Sequence, residues 1–563
     1  MASLLPVGAE SWDFEKARHL LNRAGFGVPH SLAVRLASMT PEAAVDYLVN
    51  YETIPFAFPE PDFLVPAMTA KERTAQRKGL DEEARRALQQ KWQREEREAV
   101  RKLQAWWIQR MRVSPRPLED KMVLFWHGHF ATSAQKIKAS EHNYGILEVF
   151  RNQATGNFKT LVAEVGQSPC MLRYLDNDRS TKQKPNENWA RELMELFTLG
   201  QGQYTEDDIK ESARSFTGWS MDGRTFEFRL QSHDTGTKTF LGRTGNFDGW
   251  DVIDILCEQK ALGDFIAGKL WKFFASEDVN AGAVAGLAET FRASNYELKP
   301  MLRQLFLSEA FYAPDVVGTQ IKSPAQFVVK LTHDLALDTV PPIAMVQATA
   351  RLGQDLLHPP NVKGWDGNRA WINANTLLIR YNLPADLAGA AARGHNQMMA
   401  GGGDDMMMMA GPIDPELAPP SMTMTPAEEK AAQDPQAELR AQVREKLKDL
   451  PKEERQFKLK ILRTGNPAQR RALFLELGIE PPAAYDPLDD MFEGLTFTTA
   501  AGCVQVLAKR LIDVPVAGEQ QAILLRALGA AAPDMPLAPD ELGDDKRAEV
   551  LHLLTSMAEY QLC

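Results

Sequence analysis

The sequence lacks the features that mark a membrane-spanning or a disulfide-stabilised protein. None of its apolar runs reaches the roughly 18 residues that a membrane-spanning helix needs. Among 563 residues there are only four cysteines, and their wide separation predicts free thiols, with neither a disulfide framework nor a Cys-x-x-Cys metal site. The first residues show no basic segment followed by an apolar one, so we expect no secretory signal and a cytoplasmic location, with export left open.

The sequence also lacks an excess of positive charge. Its formal net charge is −11, from 64 lysines and arginines against 75 aspartates and glutamates. Because a nucleic-acid-binding protein normally presents a basic face, this balance predicts no nucleic-acid partner. The motifs GxxxxGK[ST], GxGxxG, HExxH and GxSxG are all missing, which argues against the common nucleotide-binding enzymes, zinc proteases and α/β-hydrolases.

Helical patterns make up most of what is present. Apolar residues recur at helical spacing through most of residues 12–357, and helical patterns return beyond residue 436. A long charged helix is predicted over 81–111, and its charges indicate either a solvated face or a partner-binding surface. Alternating residues at 225–230 predict a strand that pairs with 237–241 as a hairpin. The predicted fold class is therefore mostly α, a large multi-helical body with one small β-hairpin insertion and a long disordered linker.

Composition divides the chain into three parts. Residues 1–393 are predicted to form the main helical body, and residues 436–563 a C-terminal helical part of the same unit. Between them, residues 394–435 combine three consecutive glycines, four consecutive methionines and several prolines. Such low-complexity composition cannot bury enough apolar surface to form a core, so it predicts a disordered linker or a long surface loop.

Acidic residues cluster on a predicted helix that begins at Glu187. At about 100° per residue, Glu187, Arg191, Glu192 and Glu195 fall on one side of this helix. One interpretation is an ordinary solvated face with i,i+4 ion pairs. The other is an acid–base or metal centre held inside the helical body, with these four residues as catalytic candidates.

His127 and His129 lie two residues apart at the end of a dense apolar helix. On a continuous helix their side chains would point about 200° apart, so they converge only if the helix ends between them. Convergent imidazoles joined by carboxylates such as Glu187 would hold a transition metal, whereas the alternative is a pair of core histidines. His233 and Asp234, which follow the predicted strand, are candidates for proton transfer.

The loop before Glu187 has the spacing of a calcium-binding loop. Asp176, Asp178, Ser180 and Glu187 occupy positions 1, 3, 5 and 12 of a twelve-residue window, where an EF-hand offers its oxygen ligands. The match is incomplete, because Thr181 stands where the sharp turn needs glycine. The loop therefore predicts either a calcium site or a hydrogen-bonded polar loop.

A proline- and tryptophan-rich segment has the composition of a sugar-binding wall. Trp365 and Trp371 would stack on the apolar faces of a sugar ring, Asn361 would bond its hydroxyls, and Trp219 would add a further aromatic face. The alternative is a packed loop that locks two helices together.

These segments together resemble a bacterial family, the domain of unknown function 1800. The matching sequence segments are LLNRAGFG at 20–27, FWHGHF at 125–130, most of 185–200, FTGW at 216–219 and PPNVKGW at 359–365. The resemblance implies no specific reaction. Genes of this family tend to stand beside genes for a secreted, sulfatase-like family, which implies a sulfatase-like protein encoded nearby as a candidate partner.

Two functions follow as hypotheses. In the first, a divalent cation (a transition metal or calcium) activates water in a hydrolase-like enzyme that acts on a polar, glycan or sulfated substrate. In the second, the protein is a non-catalytic helical scaffold that binds a partner protein. The scaffold would use Glu187, Arg191 and Glu195 as a buried ion network and the helix at 81–111 as its docking surface.

Overall fold

A computed structural model describes residues 4–27, 30–399, 495–512 and 515–563, together with residues 446, 448, 458 and 492. Over these residues the protein is mostly α-helical, which confirms the predicted fold class. No helix in this part of the chain is long and apolar enough to cross a membrane.

The α-helices fall into two runs along the chain. The first run is α1 (Phe14–Ala24), α2 (His30–Ala37), α3 (Pro41–Val49), α4 (Ala70–Arg77), α5 (Glu82–Val113), α6 (Pro117–His129), α7 (Ser140–Asn152), α8 (Phe158–Gln167), α9 (Pro169–Tyr174), α10 (Glu187–Glu192), α11 (Glu206–Ser215) and α12 (Gly249–Cys257). The second is α13 (Lys260–Phe274), α14 (Ala281–Ala293), α15 (Leu298–Leu307), α16 (Pro324–Asp334), α17 (Pro342–Arg351), α18 (Ala374–Met399), α19 (Ala500–Leu511), α20 (Gly518–Ala527) and α21 (Asp544–Ser556).

Local sequence signals set the start of several helices. Thr40 caps α3 by accepting a hydrogen bond from the backbone N–H of Ala43, with Pro41 in the first turn. Thr205 and Asp208 form a capping box at the start of α11, where each side chain accepts from the other residue's backbone N–H. Because a cap involves only residues next to each other in the chain, both starts are readable in the sequence.

The long helix α5 changes character along its 32 residues. Its first half, 82–98, contains no buried residue, whereas most residues of its second half, from Ala99 to Met111, lie in the core. One continuous hydrophobic core includes this second half, most helices of the first 357 residues and the helices α19 to α21. Lys322 of the body donates to the backbone carbonyl of Tyr560 at 2.6 Å, so the last residues are bonded to the body as well.

Two short antiparallel hairpins replace the single one predicted. They are built from β1 (Trp219–Met221) with β2 (Phe226–Phe228), and β3 (Lys238–Phe240) with β4 (Arg243–Gly245). The predicted pairing of 225–230 with 237–241 is therefore wrong. The Asp222 carboxylate accepts from the backbone N–H groups of Arg224 and Thr225, which closes a tight turn between neighbouring strands. Closing so short a loop costs less entropy than joining strands further apart.

The predicted linker, 394–435, lies almost wholly outside the described residues. Only its beginning is described, and there α18 continues to Met399. The division of the chain into 1–393, 394–435 and 436–563 stays a prediction.

Candidate functional site

The helix α6 continues through His129, so the side chains of the two predicted histidine ligands diverge. His127 is fully buried, and its ring centroid lies 5.5 Å from that of Trp365. His129 points to a different neighbourhood, with Nε2 3.0 Å from the carbonyl oxygen of Phe197 and Nδ1 3.1 Å from Nζ of Lys269. The convergence that a shared metal ion requires is not formed.

Both histidines behave as core residues. Neither ring nitrogen of His127 has a hydrogen-bond partner among the described residues. Burial lowers the pKa of His127 to about 3, with a smaller contribution from His358. Burial also holds the pKa of His129 well below its ordinary value, and the Lys269 ammonium adds to the effect. Each ring is therefore neutral near pH 7.

A turn of π-helix, Leu193–Thr198, continues α10, and one of its carbonyl groups contacts His129. A π turn widens the helix and shifts its carbonyl groups out of the regular α pattern. Here Lys269 donates to the carbonyl of Leu196 at 2.9 Å, and His129 lies against the next carbonyl. The sequence predicts a continuous helix over 187–199, with no local sign of this turn.

The acidic face of α10 is half-exposed, and Arg191 on this face forms ion pairs with nearby carboxylates. Arg191 forms two 2.9 Å hydrogen bonds with Glu206 and one of 3.4 Å with Glu187. Glu195 accepts from nearby amide and phenol donors, and burial together with Glu195 raises the pKa of Glu192. The Arg191 side chain is 36% exposed and that of Glu187 is 42% exposed. This arrangement matches the solvated-face interpretation rather than a buried centre.

The four loop residues predicted to bind calcium do not converge. The Asp176 carboxylate pairs with Lys136 at 2.8 Å, and the Ser180 hydroxyl accepts a backbone N–H bond. Asp178 is half-buried, which raises the pKa of its carboxyl group, while Glu187 belongs to the ion pairs of α10. Across the described part of the chain, no group of three or more His, Cys, Asp or Glu side chains is placed to hold a metal ion.

His233 and Asp234 stabilise a turn and do not pair with each other. Nδ1 of His233 lies 2.8 Å from the carbonyl oxygen of Thr217. Asp234 accepts from Nε of Arg214 at 2.8 Å, and this bond holds the pKa of the carboxyl group below its ordinary value. Such a carboxylate is a weak base, which does not suit the predicted role in proton transfer.

The tryptophans proposed as a sugar-binding wall are mostly covered. Trp219 is fully buried, and its ring meets that of Phe216 edge-on at 5.0 Å. Trp371 is 7% exposed, and Trp365 is half-buried against His127. Asn361 is exposed. The structure matches the alternative, a packed loop.

A different set of residues surrounds a cavity of about 410 Å³ between the loop after α3 and the helices α5, α6 and α7. Its walls combine aromatic rings with charged groups: Tyr51, Phe56, Phe58, Trp106 and Tyr144 with Glu52, Glu60, Arg110, Arg116, Glu119, Glu148 and Arg151. We call this space the Arg110 cavity. Pockets that bind small molecules have this size, and here charged groups make up a larger part of the walls than is usual.

A buried ion network forms the base of the Arg110 cavity. Arg110 donates from Nε to Asp120 at 2.9 Å and from Nη2 to Glu119 at 2.5 Å. Its guanidinium group lies 4.9 Å from the ring centroid of Phe56. Burial raises the pKa of Glu119, and the adjacent Asp120 carboxylate raises it further, against the opposing effect of Arg110.

Arg151 occupies another wall of the Arg110 cavity. Its Nη1 pairs with Glu148, and its guanidinium group lies 5.3 Å from the ring centroid of Trp106. Burial lowers the pKa of Arg151 to about 10, so the group stays charged at pH 7. Its Nε and Nη2 atoms are buried and have no hydrogen-bond partner in the described structure.

The Arg110 cavity was not predicted from the sequence. The available signal was local: arginines and acids alternate with prolines over 110–120, in a segment that is otherwise apolar. The aromatic walls come from 51–58 and from α5 and α7, and no spacing in the sequence relates these segments.

Over the described residues the protein is mostly helical, and the Arg110 cavity combines charged groups with aromatic walls. Residues 19–562 match the family described as a protein of unknown function, DUF1800. The chain belongs to this family, which confirms the resemblance of its motifs. No curated protein and no solved structure matches it.

Proposed function

We propose that the protein is a hydrolase-like enzyme that cleaves a polar, glycan-type substrate in the Arg110 cavity. The observation that carries the proposal is Glu119, a carboxyl group in the cavity wall that is only 7% exposed and whose pKa is raised. A carboxyl group whose pKa is raised by burial can act as a general acid and protonate the leaving oxygen of a glycosidic bond.

The walls of the Arg110 cavity support the substrate class. Phe56, Phe58 and Tyr144 are half-buried rings in these walls, and aromatic faces stack on the apolar side of a sugar ring. The carboxylate and guanidinium groups of these walls can hydrogen-bond the hydroxyls around the ring. A hydroxyl both donates and accepts hydrogen bonds, so it can pair with either kind of group.

A glycosidase normally needs a second carboxylate, which acts as base or nucleophile. We assign this role to Glu148, which lines the same cavity and whose side chain is 33% exposed. Its carboxylate forms an ion pair with Nη1 of Arg151. Glu119 would then donate a proton while Glu148 activates water or attacks the sugar carbon.

The test is cleavage of a panel of defined oligosaccharides, measured by the release of reducing ends. We expect turnover of at least one member, and Glu119→Gln should lower kcat by about 100-fold to 10,000-fold. Glu206→Gln, which removes a carboxylate from the exposed pair with Arg191, is the matched control and should keep full activity. Unchanged turnover in Glu119→Gln, or no cleavage of any member by the native chain, would overturn the proposal.

A second candidate function, a scaffold for a partner protein, is supported by the exposed first half of α5. Residues 82–98 carry many charges and bury no residue in the core, and the guanidinium group of Arg77 from α4 lies 5.4 Å from the Trp92 ring. A sulfatase-like protein encoded nearby is the candidate partner. Co-elution that Arg85→Glu with Arg94→Glu abolishes would favour this function, whereas no co-elution with the native chain would remove it.

A further inference from the structure

We propose that Arg151 selects a substrate that carries an oxyanion on its sugar, either a carboxylate or a sulfate group. This inference rests on the proposed function, because it names the substrate class for the same cavity. It follows from the way the guanidinium group is held.

Two contacts fix the plane of the Arg151 guanidinium group. The group lies over the ring of Trp106, and its Nη1 is occupied by the Glu148 carboxylate. These contacts leave the edge formed by Nε and Nη2. The N–H bonds on that edge are parallel, which is the geometry that matches two oxygens of one carboxylate or sulfate group.

Within the part of the chain that the structure describes, the Nε–Nη2 edge of Arg151 serves no acceptor. Both nitrogens are buried, and neither has a hydrogen-bond partner among the described residues. Leaving charged donors unpaired away from water is costly, so a purely structural arginine would normally find acceptors for them. The neighbouring Arg110 does so with Asp120 and Glu119, and Arg116 donates to the carbonyl of Ile54 at 2.8 Å.

Binding requires a small movement. The Nε and Nη2 atoms are shielded from bulk water, so the guanidinium group must shift across the Trp106 ring toward the cavity for the oxyanion to reach them. Once made, these bonds lie in a site of low dielectric, where charge-assisted hydrogen bonds are stronger than in water.

The test compares binding of matched oligosaccharides by calorimetry. One pair is an oligogalacturonate and its methyl ester, and the other is a sulfated carrageenan oligosaccharide and its desulfated form. We expect the native chain to bind one anionic member at least about tenfold more tightly than its neutral partner, the effect of one strong bidentate contact. The pair that shows the preference identifies the oxyanion as carboxylate or sulfate.

Two variants and a control assign the preference to Arg151. Arg151→Met removes the charge, Arg151→Lys keeps it without the two-donor edge, and both should bind the anionic and neutral members alike. Arg243→Met, at an exposed pair with Glu258, should keep the preference. Equal binding of both members by a native chain that cleaves sugars would overturn this inference alone. No binding of any member would overturn the proposed function with it.

Discussion

Gly364 lies so close to Gly128 that a Cβ atom on Gly364 would be 2.1 Å from the carbonyl oxygen of Gly128. The two glycines belong to FWHGHF and PPNVKGW, segments far apart in the chain that both carry the family resemblance. The same contact places Trp365 against His127. These motifs therefore hold two parts of the body together, which gives a packing reason for their residue types.

Gly364→Ala should destabilise the protein by about 2 kcal/mol or more. The backbone of Gly364 has φ of 86°, where an L side chain is strained, and the added methyl group would overlap the Gly128 carbonyl. Urea unfolding measures the change. Gly367→Ala is the matched control, because nothing lies within 4 Å of a Cβ there, and it should change stability little. Equal stability of the two variants would contradict the observed contact.

Acid should destabilise the protein in part through His127. In the unfolded chain this imidazole takes up a proton below about pH 6.5, whereas burial lowers its pKa in the folded protein to about 3. The unfolded state therefore binds more protons in this range, and stability falls as pH decreases. Between pH 7 and 5.5 the contribution is about 1 kcal/mol.

His127→Phe removes this proton uptake and keeps a ring in the same apolar site. Its free energy of unfolding should decline less than that of the native chain between pH 7 and 5.5, as measured by urea titrations at each pH. Parallel curves for the two proteins would show that His127 is protonated in the folded state.

Calcium at millimolar concentration should leave the melting temperature unchanged. The Asp176 carboxylate is already paired with Lys136, and Ser180 and Glu187 have other partners, so the loop offers no assembled set of oxygens. Thermal unfolding with added calcium and with a chelator checks this. A rise in melting temperature that saturates with calcium would show that the loop rearranges to bind it.

Asp120→Asn should cost about 3–5 kcal/mol of stability, because it removes one partner of a buried ion network and leaves the Arg110 charge less compensated. Glu206→Gln, at an exposed pair, should cost at most about 1 kcal/mol. Chemical denaturation of both variants gives the comparison. A loss in Asp120→Asn no larger than in Glu206→Gln would mean that water reaches the network.

Features that depend on neighbours in the chain were predictable. The caps at Thr40 and Thr205, the extent of α5 and the mostly α class all follow from patterns within a few turns of helix. The predicted strand pairing was wrong because strand pairing depends on which turn forms. The Asp222 carboxylate accepts from two backbone N–H groups and so stabilises the turn between β1 and β2. The π turn after α10 was also missed, since the bonds from Lys269 and His129 that accompany it come from other helices.

The sequence by itself determined the helices, because apolar periodicity and helix caps act over short stretches of the chain. It also determined the family, because the family motifs are contiguous in the sequence. Only the tertiary structure decided which polar residues meet. It buried His127 against the rings of Trp107 and Trp365, and it joined Glu119, Arg151 and Trp106 around one cavity. The reason is physical: a side chain's surroundings in the core come from packing between distant segments, and no local spacing encodes that packing.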